Sequence, residues 1–315
     1  MSVTRQIKRI LYRFNLNSCL STAKLTITQH ITKMKTKEEL IDELLDLAFA
    51  EDLGDGDHTT LSTIPADAIG RSRLIIKEEG IVSGVEVARK VLAKVDPSIK
   101  VDVMIEDGAA VKPGDIVFTA EGPVRSLLIA ERTMLNIMQR MSGVATMTAK
   151  YQKQLEGLHT KVLDTRKTTP GMRMLEKEAV ACGGGTNHRI GLFDMILIKD
   201  NHIDFAGGIE KAIQRANDYC KENGKDLKIE VEVRSLDDIR RVMEYGGVDR
   251  IMFDNFTPEL TKEAVNMVGG KYETESSGGI TIDNLRAYGE AGVDFISVGA
   301  LTHSVKGLDM SFKAY

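Results

Sequence analysis

Several features that define other protein classes are scarce or absent in this sequence. Its three cysteines, Cys19, Cys182 and Cys220, lie far apart, without the paired spacing of a zinc site or the even number of a disulfide framework. No apolar run approaches the roughly 20 residues that a membrane-spanning helix needs. The formal net charge of -4 provides no general excess of cations for a nucleic-acid backbone. We therefore expect a soluble protein of a reducing compartment, with no membrane or nucleic-acid partner.

The chain also lacks the glycine-rich signatures of two common nucleotide-binding folds. No G-x-G-x-x-G pattern follows a predicted strand, and no P-loop occurs. Its 315 residues, 42% of them hydrophobic, can nevertheless bury a full core. That length suits two modest domains, or one barrel with an appendage.

Every charged residue before Glu38 is basic, and these residues are Arg5, Lys8, Arg9, Arg13, Lys24, Lys33, Lys35 and Lys37. Such a composition is typical of an organellar transit segment. Alternatively, the true start is Met34, which immediately precedes the first predicted helix. We favour the second interpretation. It predicts that residues 1–35 are a disordered or non-native extension and that the protein is cytoplasmic.

The first half of the chain predicts a small α+β domain. Apolar residues recur with helical period over residues 38–50, and an acidic turn follows at 51–57. Alternating runs at 72–77, 100–105 and 116–120 predict strands, and residues 85–95 predict a helix.

Beyond residue 161 the pattern changes to a repeat of strand, loop and helix. Strands are predicted at 161–164, 194–199, 228–233, 250–254, 271–275 and 294–298, with amphipathic helices between several of them, such as 209–221. This alternation indicates a parallel sheet that is closed, or nearly closed, into a β/α barrel. A doubly wound open sheet is the alternative, but the missing dinucleotide fingerprint argues against it.

Polar residues follow the predicted strands where each strand ends, and in a β/α barrel those ends share one rim. Five of them are cationic or can become so: Arg166, Lys167, His188, Arg189 and Lys199. Arginine forks match carboxylates and phosphates, so the cluster predicts a site for a substrate with two carboxylates and another with a pyrophosphate. The alternative is a solvated face of surface ion pairs.

Two carboxylates, Glu232 and Asp254, end successive predicted strands. Carboxylates so placed can hold Mg²⁺, which keeps several waters and bridges to phosphate oxygens, or they can contact a ribose. Two alternatives remain open. The carboxylates could pair with nearby lysines, or act as a general acid and base, although no nucleophile motif accompanies them.

The last two predicted strands lead into glycine-containing loops, at residues 275–280 and 299–300. Backbone amides in these loops of a barrel often hold a phosphate. A phosphate site is therefore predicted there, and simple turns are the alternative.

The motifs at these positions resemble those of the quinolinate phosphoribosyltransferases, also called carboxylating nicotinate-nucleotide pyrophosphorylases. The resemblance covers nearly all of residues 38–315. It rests on EDLG at 51–54, ERT at 131–133, QRMSG at 139–143, DTRKTTPG at 164–171, GGG at 183–185, NHR at 187–189, IKDNH at 198–202, VE at 231–232, DNF at 254–256, SGGI at 277–280 and GALTH at 299–303.

The resemblance implies a fold of the α/β class, with an N-terminal α/β sandwich domain and an incomplete β/α barrel. The limits expected from it are residues 36–138, joined by 303–315, for the sandwich and 139–302 for the catalytic barrel. It also implies a homodimer or higher homo-oligomer with active sites shared between subunits. The activity implied is the conversion of quinolinate and phosphoribosyl pyrophosphate to nicotinate mononucleotide, pyrophosphate and carbon dioxide, in NAD biosynthesis.

The resemblance also assigns roles to individual residues. Four of them would hold the quinolinate carboxylates, namely Arg166, His188, Arg189 and Lys199, while Arg132 would reach in from the neighbouring subunit. Lys167 would lie between the two substrates and, with Glu232 and Asp254, act in catalysis. Those two carboxylates would contact the ribose and the Mg²⁺ cofactor. The 5′-phosphate would be held by Ser277, Gly278 and Gly299.

Two other functions are compatible with the same residues. One is a related protein of this fold that acts on a different acceptor, although the complete set of cations for two carboxylates argues against it. The other is a barrel that senses a phosphorylated metabolite without turning it over. Product formation would separate both enzymes from the sensor.

Overall fold

The computed structural model describes residues 34–315, so residues 1–33 of the predicted extension lie outside the described residues. The chain divides into two units, residues 1–43 and 44–315. In the described part of the first unit, helix α1 (Lys37–Leu53) begins beside a reciprocal cap. The N–H of Glu39 donates to the Thr36 hydroxyl at 3.1 Å, and the N–H of Thr36 donates to the Glu39 carboxylate at 2.8 Å. This cap fixes the start of the helix within a residue of the predicted position.

The elements of the first half after α1 are α2 (His58–Thr63), β1 (Ile69–Ile76), β2 (Gly80–Ile81), α3 (Val85–Val95), β3 (Lys100–Val103), β4 (Ala110–Val111), β5 (Ile116–Pro123) and α4 (Val124–Gln154). The second half contains β6 (Lys161–Leu163), α5 (Arg173–Cys182), β7 (Ile196–Ile198), α6 (Asp200–Ala206), α7 (Ile209–Glu222), β8 (Ile229–Val233), α8 (Leu236–Tyr245), β9 (Arg250–Asp254), α9 (Pro258–Val268), β10 (Glu273–Ser277), α10 (Leu285–Glu290), β11 (Phe295–Ser297), α11 (Ala300–His303) and β12 (Met310–Ala314).

An antiparallel sheet of four strands forms the first layer of unit 44–315, in the order β12-β1-β5-β3. Along β1, Leu74 and Ile76 are fully buried while alternate residues are more exposed, as expected of a sheet with one face against a core. Helix α4 packs against β1, β5 and β12, and α3 packs against α4. The last strand of the chain thus completes the first sheet, because β12 pairs with β1.

Helix α4 is 31 residues long and contacts both layers of unit 44–315. It packs on the antiparallel sheet and also against β6, α5 and α10 of the second half of the chain. The predicted domain boundary at residues 138 and 139 lies within this continuous helix. A shared helix of this kind gives the two sheets a common support.

Six parallel strands form the second sheet, in the order β6-β11-β10-β9-β8-β7. Apart from β6 at one end, the order follows the chain, as it does when strands wind around a barrel. All five residues of β8 are buried, which fits a parallel strand with helices outside and a packed interior inside.

The two edge strands of this sheet are β6 and β7. The barrel is open between them, because no ladder of hydrogen bonds joins them among the described strands. A single bridging residue, Thr186, lies beside β6 instead. Its N–H donates to the carbonyl of Val162 at 2.8 Å, and its carbonyl accepts from the N–H of Asp164 at 3.2 Å. The predicted α/β class, with a sandwich and an incomplete barrel, is confirmed.

Most predicted barrel strands are found within one or two residues of their predicted limits, and 250–254 is found unchanged. The strand predicted at 271–275 is shifted to Glu273–Ser277. Its N-terminal end is fixed by Asp294, whose carboxylate accepts from both the N–H and the hydroxyl of Thr274 at 2.8 Å. Among the described helices, none is both long and apolar enough to cross a membrane.

Gly143 lies within α4, where its surroundings leave no room for a side chain. A Cβ atom there would overlap the carbonyl oxygen of Lys306 and lie 3.1 Å from Cα of Gly307. We predict that Gly143→Ala lowers the free energy of unfolding by about 1–3 kcal/mol because of overpacking. In a solvent-exposed stretch of helix the same change would instead raise the free energy of unfolding by about 1 kcal/mol.

Urea unfolding measures this difference. Lys150→Ala, an exposed change on the same helix, is the control and should alter the free energy of unfolding by less than about 0.5 kcal/mol. A Gly143→Ala protein more stable than its parent would contradict the packing argument.

Candidate active site

A cavity of about 330 Å³ opens at the C-terminal rim of the barrel. Its lining residues are Thr165, Arg166, Lys167, His188, Arg189, Leu197, Lys199, Met252, Glu275, Ser277 and Ser297. The structure therefore brings together all five residues of the predicted cation cluster. Such a concentration of cations in a protein of net charge -4 is suited to an anionic ligand.

Lys167 is held on two sides of its backbone. Its N–H donates to the hydroxyl of Thr165 at 3.0 Å, and its carbonyl accepts from the hydroxyl of Thr302 at 2.9 Å. A Cβ atom at Gly299 would lie 3.1 Å from Cδ of Lys167. The loop after β11 therefore approaches this lysine closely because residue 299 has no side chain.

Glu232 and Asp254 lie at the ends of the neighbouring strands β8 and β9. Lys199 Nζ is 3.7 Å from the Glu232 carboxylate. Burial raises the pKa of Glu232, Lys199 opposes that rise, and the negative charge of Asp254 adds to it. The two carboxylates repel each other, and both offer the hard oxygen ligands that divalent cations prefer. The pair is therefore suited to binding a divalent cation. Glu232 also lines a neighbouring cavity of about 390 Å³ beside Asp200 and Arg234.

The loop after β10 has a conformation that favours glycine. Gly278 has a φ of 94° and Gly279 a φ of 62°, both in the left-handed region. Asn255, opposite, is the only non-glycine residue among the described ones with positive φ, at 56°, and its N–H donates to the carbonyl of Ser277 at 2.8 Å. A side chain at Gly278 would overlap the Asn255 amide. Ser277 lines the cationic cavity, so this loop borders it at the predicted phosphate position.

Buried charged residues beneath the cavity form what we call its floor, and of these Glu275 lines the cavity itself. Glu230, Glu275 and Arg250 point inward from three adjacent strands, and all are buried. Arg250 Nη1 donates to Glu275 at 3.0 Å. Burial raises the pKa of Glu230 to about 7 and that of Glu275 to about 8, and the negative charge of Glu230 adds to the rise at Glu275. Charged residues at every second position of β8 and β10 were the signal that could have identified this floor.

His188 stands on this floor, with its ring directed into the protein. Nε2 lies 2.9 Å from Glu230 and 3.5 Å from Glu275. Nδ1 accepts from the N–H of Arg189 at 2.6 Å. Burial lowers the pKa of His188, with the Glu275 carboxylate opposing this change, and the lowered pKa favours a neutral ring. Since both ring nitrogens face protein groups, the predicted contact of His188 with a substrate carboxylate stays a prediction.

Helix α5 carries two further residues that the sequence analysis missed, Glu176 and Lys177, and both are buried. Glu176 lies 2.8 Å from Arg140 of α4 and accepts from the N–H of Thr169 at 3.1 Å. Lys177 lies 2.5 Å from Asp164. No local pattern distinguishes them from surface charges, because their partners are distant in sequence.

Arg132 lies apart from the barrel cavity, on α4. It lines a larger cavity of about 530 Å³ together with Glu51, Asp52, Asn136 and Arg140. Within one chain the structure therefore does not bring Arg132 to the other predicted quinolinate ligands. This placement is compatible with the predicted contribution from a neighbouring subunit, which stays a prediction.

Fold and cavity together define a class of protein: a β/α-barrel protein with a cationic site for polyanionic ligands at its C-terminal rim. The family profile of the quinolinate phosphoribosyl transferase C-terminal domain matches residues 144–313, and that of the N-terminal domain matches residues 57–142. The chain belongs to the quinolinate phosphoribosyltransferase family, and the resemblance found in its motifs is confirmed.

Known relatives agree with this assignment. A mitochondrial, decarboxylating quinolinate phosphoribosyltransferase of Nicotiana glauca is 43% identical over 289 residues, which cover 87% of this chain and 82% of that protein. A probable carboxylating nicotinate-nucleotide pyrophosphorylase of Bacillus subtilis (strain 168) is 40% identical, over 86% of this chain and 92% of that one. The solved nicotinate-nucleotide pyrophosphorylase from Francisella tularensis superposes with a TM-score of 0.84 at 40% identity, over 89% and 98% of the two chains.

A more distant structure shares only the fold. Human nicotinic acid phosphoribosyltransferase superposes with a TM-score of 0.57 at 12% identity, over 81% of this chain and 72% of the human one. The fold by itself therefore does not fix the acceptor.

The buried floor should make stability depend on pH. Because burial raises the pKa of Glu275 from 4.5 to about 8, the folded protein keeps a proton that the unfolded chain loses. This stabilisation is full below about pH 4.5 and is lost as pH rises through about 8. We predict that Glu275→Gln, which mimics the protonated carboxyl, gains on the order of 1–3 kcal/mol of stability over the parent between pH 5 and pH 8.5.

Thermal unfolding across that pH range measures the difference. Glu290→Gln, which removes a half-exposed carboxylate paired with Arg286, is the control and should show no such trend. If the difference between the Glu275→Gln protein and its parent did not change with pH, the carboxyl would not be protonated in the folded state.

Proposed function

We propose that this protein transfers the phosphoribosyl group of phosphoribosyl pyrophosphate to quinolinate, releasing pyrophosphate and carbon dioxide and forming nicotinate mononucleotide for NAD biosynthesis. The observation that carries the proposal is the convergence of Arg166, Lys167, Arg189 and Lys199 on one cavity at the barrel rim. Family membership adds the reaction, because relatives at 40–44% identity have the names of this enzyme.

Quinolinate would occupy the cationic cavity of about 330 Å³. Its two carboxylates would pair with Arg166, Arg189 and Lys199, since guanidinium forks bind carboxylates in bidentate fashion. Burial lowers the pKa of Arg189, and the nearby Arg166 adds to this effect. A dianionic ligand would relieve that repulsion, so the two arginines favour an acceptor with two carboxylates.

The phosphoribosyl donor would lie along the rim beside the quinolinate. Lys167 would contact both substrates, and the backbone around Ser277, Gly278 and Gly299 would hold the 5′-phosphate. Glu232 and Asp254 would contact the ribose and bind Mg²⁺, whose hard-oxygen preference their carboxylates match. The bound ion would neutralise charge on the departing pyrophosphate.

Catalysis in this arrangement requires positioning and electrostatics, with no protein nucleophile. The quinolinate nitrogen attacks the anomeric carbon as the bond to pyrophosphate breaks. The alkylated ring is cationic, so it stabilises the electron pair left on the ring carbon when the neighbouring carboxylate departs as carbon dioxide. That carbon then takes a proton from water, which completes nicotinate mononucleotide. The cationic residues of the cavity would orient the quinolinate nitrogen toward the ribose, and Lys167 would stay paired with the departing pyrophosphate.

The cellular location is also a proposal. We favour the cytoplasm, with organellar import through the basic residues before Glu38 as the alternative. The names of relatives from Nicotiana glauca and Arabidopsis thaliana place them in mitochondria and chloroplasts, respectively, which supports the alternative for this family.

The proposed function predicts a product that can be measured directly. Purified protein supplied with quinolinate, phosphoribosyl pyrophosphate and Mg²⁺ should form carbon dioxide and nicotinate mononucleotide in equal amounts. Nicotinate should not replace quinolinate, and excess EDTA should stop the reaction. Arg166→Ala should lower kcat/KM for quinolinate by on the order of 100-fold, as expected when a charged partner of a bound carboxylate is lost.

Other outcomes would redirect the proposal. Turnover of nicotinate alone would indicate a related transferase with a different acceptor. Binding of both ligands without product would indicate a sensor.

A shared active site predicts complementation between two inactive variants. If Arg132 serves the site of a neighbouring subunit, an Arg132→Ala chain and a Lys167→Ala chain each lack a different part of that site. Co-expressed in equal amounts, they should recover about a quarter of parent activity, because half of the random dimers are mixed and each mixed dimer has one intact site.

Separately purified variants are the matched controls and should both be nearly inactive. A co-expressed mixture as inactive as the two controls would place Arg132 and Lys167 in the same subunit's site. An Arg132→Ala control with parent activity would place Arg132 outside the site.

A further inference from the structure

An ion pair lies beneath the cavity without lining it. Asp164 follows β6 and Lys177 lies on α5, with side chains 0% and 4% exposed and Nζ 2.5 Å from Oδ1. Burial raises the pKa of Asp164 and lowers that of Lys177, and the attraction between the two opposes both changes. Burying two charges costs several kcal/mol each, and apolar residues of similar volume often replace such a pair without loss of stability. Stability alone therefore does not account for the pair.

Besides their contact with each other, Asp164 and Lys177 each form one hydrogen bond with the backbone of His188. Asp164 Oδ1 accepts from the N–H of His188 at 2.8 Å, and Lys177 Nζ donates to the carbonyl of His188 at 3.0 Å. The side-chain amide of Asn187 donates to the other oxygen of Asp164 at 2.7 Å and to the carbonyl of Lys177 at 2.8 Å. Both peptide groups of residue 188 are thus held by two buried charges.

The constraint continues from His188 to Arg189. The ring Nδ1 of His188 accepts from the N–H of Arg189 at 2.6 Å, and Arg189 Nη1 donates to the carbonyl of Met195 at 3.2 Å. The Arg189 side chain then lines the cationic cavity. A chain of short contacts therefore connects the buried pair to a predicted carboxylate ligand. This segment crosses the open side of the barrel, where no strand ladder would otherwise hold it.

We propose that Asp164 and Lys177 are positioning residues for the acceptor: their ion pair clamps the backbone of His188 and so fixes Arg189 for the quinolinate carboxylates. The inference rests on the proposed function, since it names the acceptor. It assigns to the pair an effect on acceptor binding that is larger than any effect on the phosphoribosyl donor, because every predicted donor contact except Lys167 lies on another loop. A displacement of about 1 Å at such a ligand can change a rate by on the order of 100-fold.

A double variant and a conservative control variant distinguish a role in positioning Arg189 from a role in stabilising the fold. The double variant Asp164→Leu with Lys177→Met removes both charges and both hydrogen bonds from the pair to the backbone of His188, while keeping the approximate shape of the two side chains. The control, Asp164→Asn, retains an oxygen that accepts from the N–H of His188 and leaves Lys177 to donate to its carbonyl. Steady-state kinetics with each substrate varied in turn give both KM values, and thermal unfolding gives Tm.

We expect the double variant to raise KM for quinolinate at least about tenfold, to leave KM for phosphoribosyl pyrophosphate within about threefold, and to keep its Tm within a few degrees of the parent. The Asp164→Asn control should keep KM for quinolinate within about threefold of the parent. A double variant with parental KM for quinolinate, or with both KM values raised equally, would overturn the proposal.

A second variant covers the case in which the double variant does not fold. Asp164→Asn with Lys177→Met keeps the acceptor for the N–H of His188 and loses only the donor to its carbonyl. It should raise KM for quinolinate more than Asp164→Asn alone, and equal values would overturn the clamp. Failure of the proposed function is distinguishable from failure of this inference, because in that case the parent protein itself would form no nicotinate mononucleotide from quinolinate.

Discussion

Charged side chains inside the barrel must find partners in the protein, and the rest of the site depends on how they do so. The interiors of such barrels are usually packed with branched aliphatic residues. Here Arg250 lies between Glu273 and Glu275, and Glu230 faces it from the neighbouring strand. An isolated buried charge would cost several kcal/mol, so these residues restrict one another's positions. The floor of the cavity is consequently polar and rigid, and His188 rests against it.

The same rule connects the loops to the scaffold. On α5, the adjacent residues Glu176 and Lys177 point to partners on different elements, Arg140 of α4 and Asp164 after β6. Each of the two also bonds the backbone of a loop that carries cations, at Thr169 and at His188 respectively. Buried charges therefore attach both loops to α5. Such support is what holds binding groups within a few tenths of an ångström of a productive position.

The sequence predicted the barrel and the rim because both follow from local patterns. Strand and helix alternate in the second half, and polar residues recur where strands end, so the positions of Arg166, Lys199 and Glu232 could be anticipated. The floor and the charges of α5 were not predicted, because Glu230 and Lys177 resemble surface charges until a distant partner is known, and charged residues are rarely buried. For the floor, the alternating charges of β8 and β10 were the available signal. The shift of β10 by two residues has a similar cause. Its start is set by Asp294, about 20 residues further along the chain, as the span to Thr274 shows.

The fold leaves the choice of acceptor open, since human nicotinic acid phosphoribosyltransferase shares it at 12% identity. The cavity narrows that choice by its charges. Burial disfavours the charge of Arg189 and the nearby Arg166 adds to this effect, so a ligand with a single negative charge would leave part of that repulsion unrelieved. An acceptor with one carboxylate would leave one of these cations without a partner in a partly buried site. Sites built around such groups reject a ligand that lacks the matching one far more strongly than apolar pockets reject a missing methylene. On the proposed assignment of the two arginines, discrimination between one and two carboxylates follows from the unpaired cation, and any residue that fixes their spacing contributes to it.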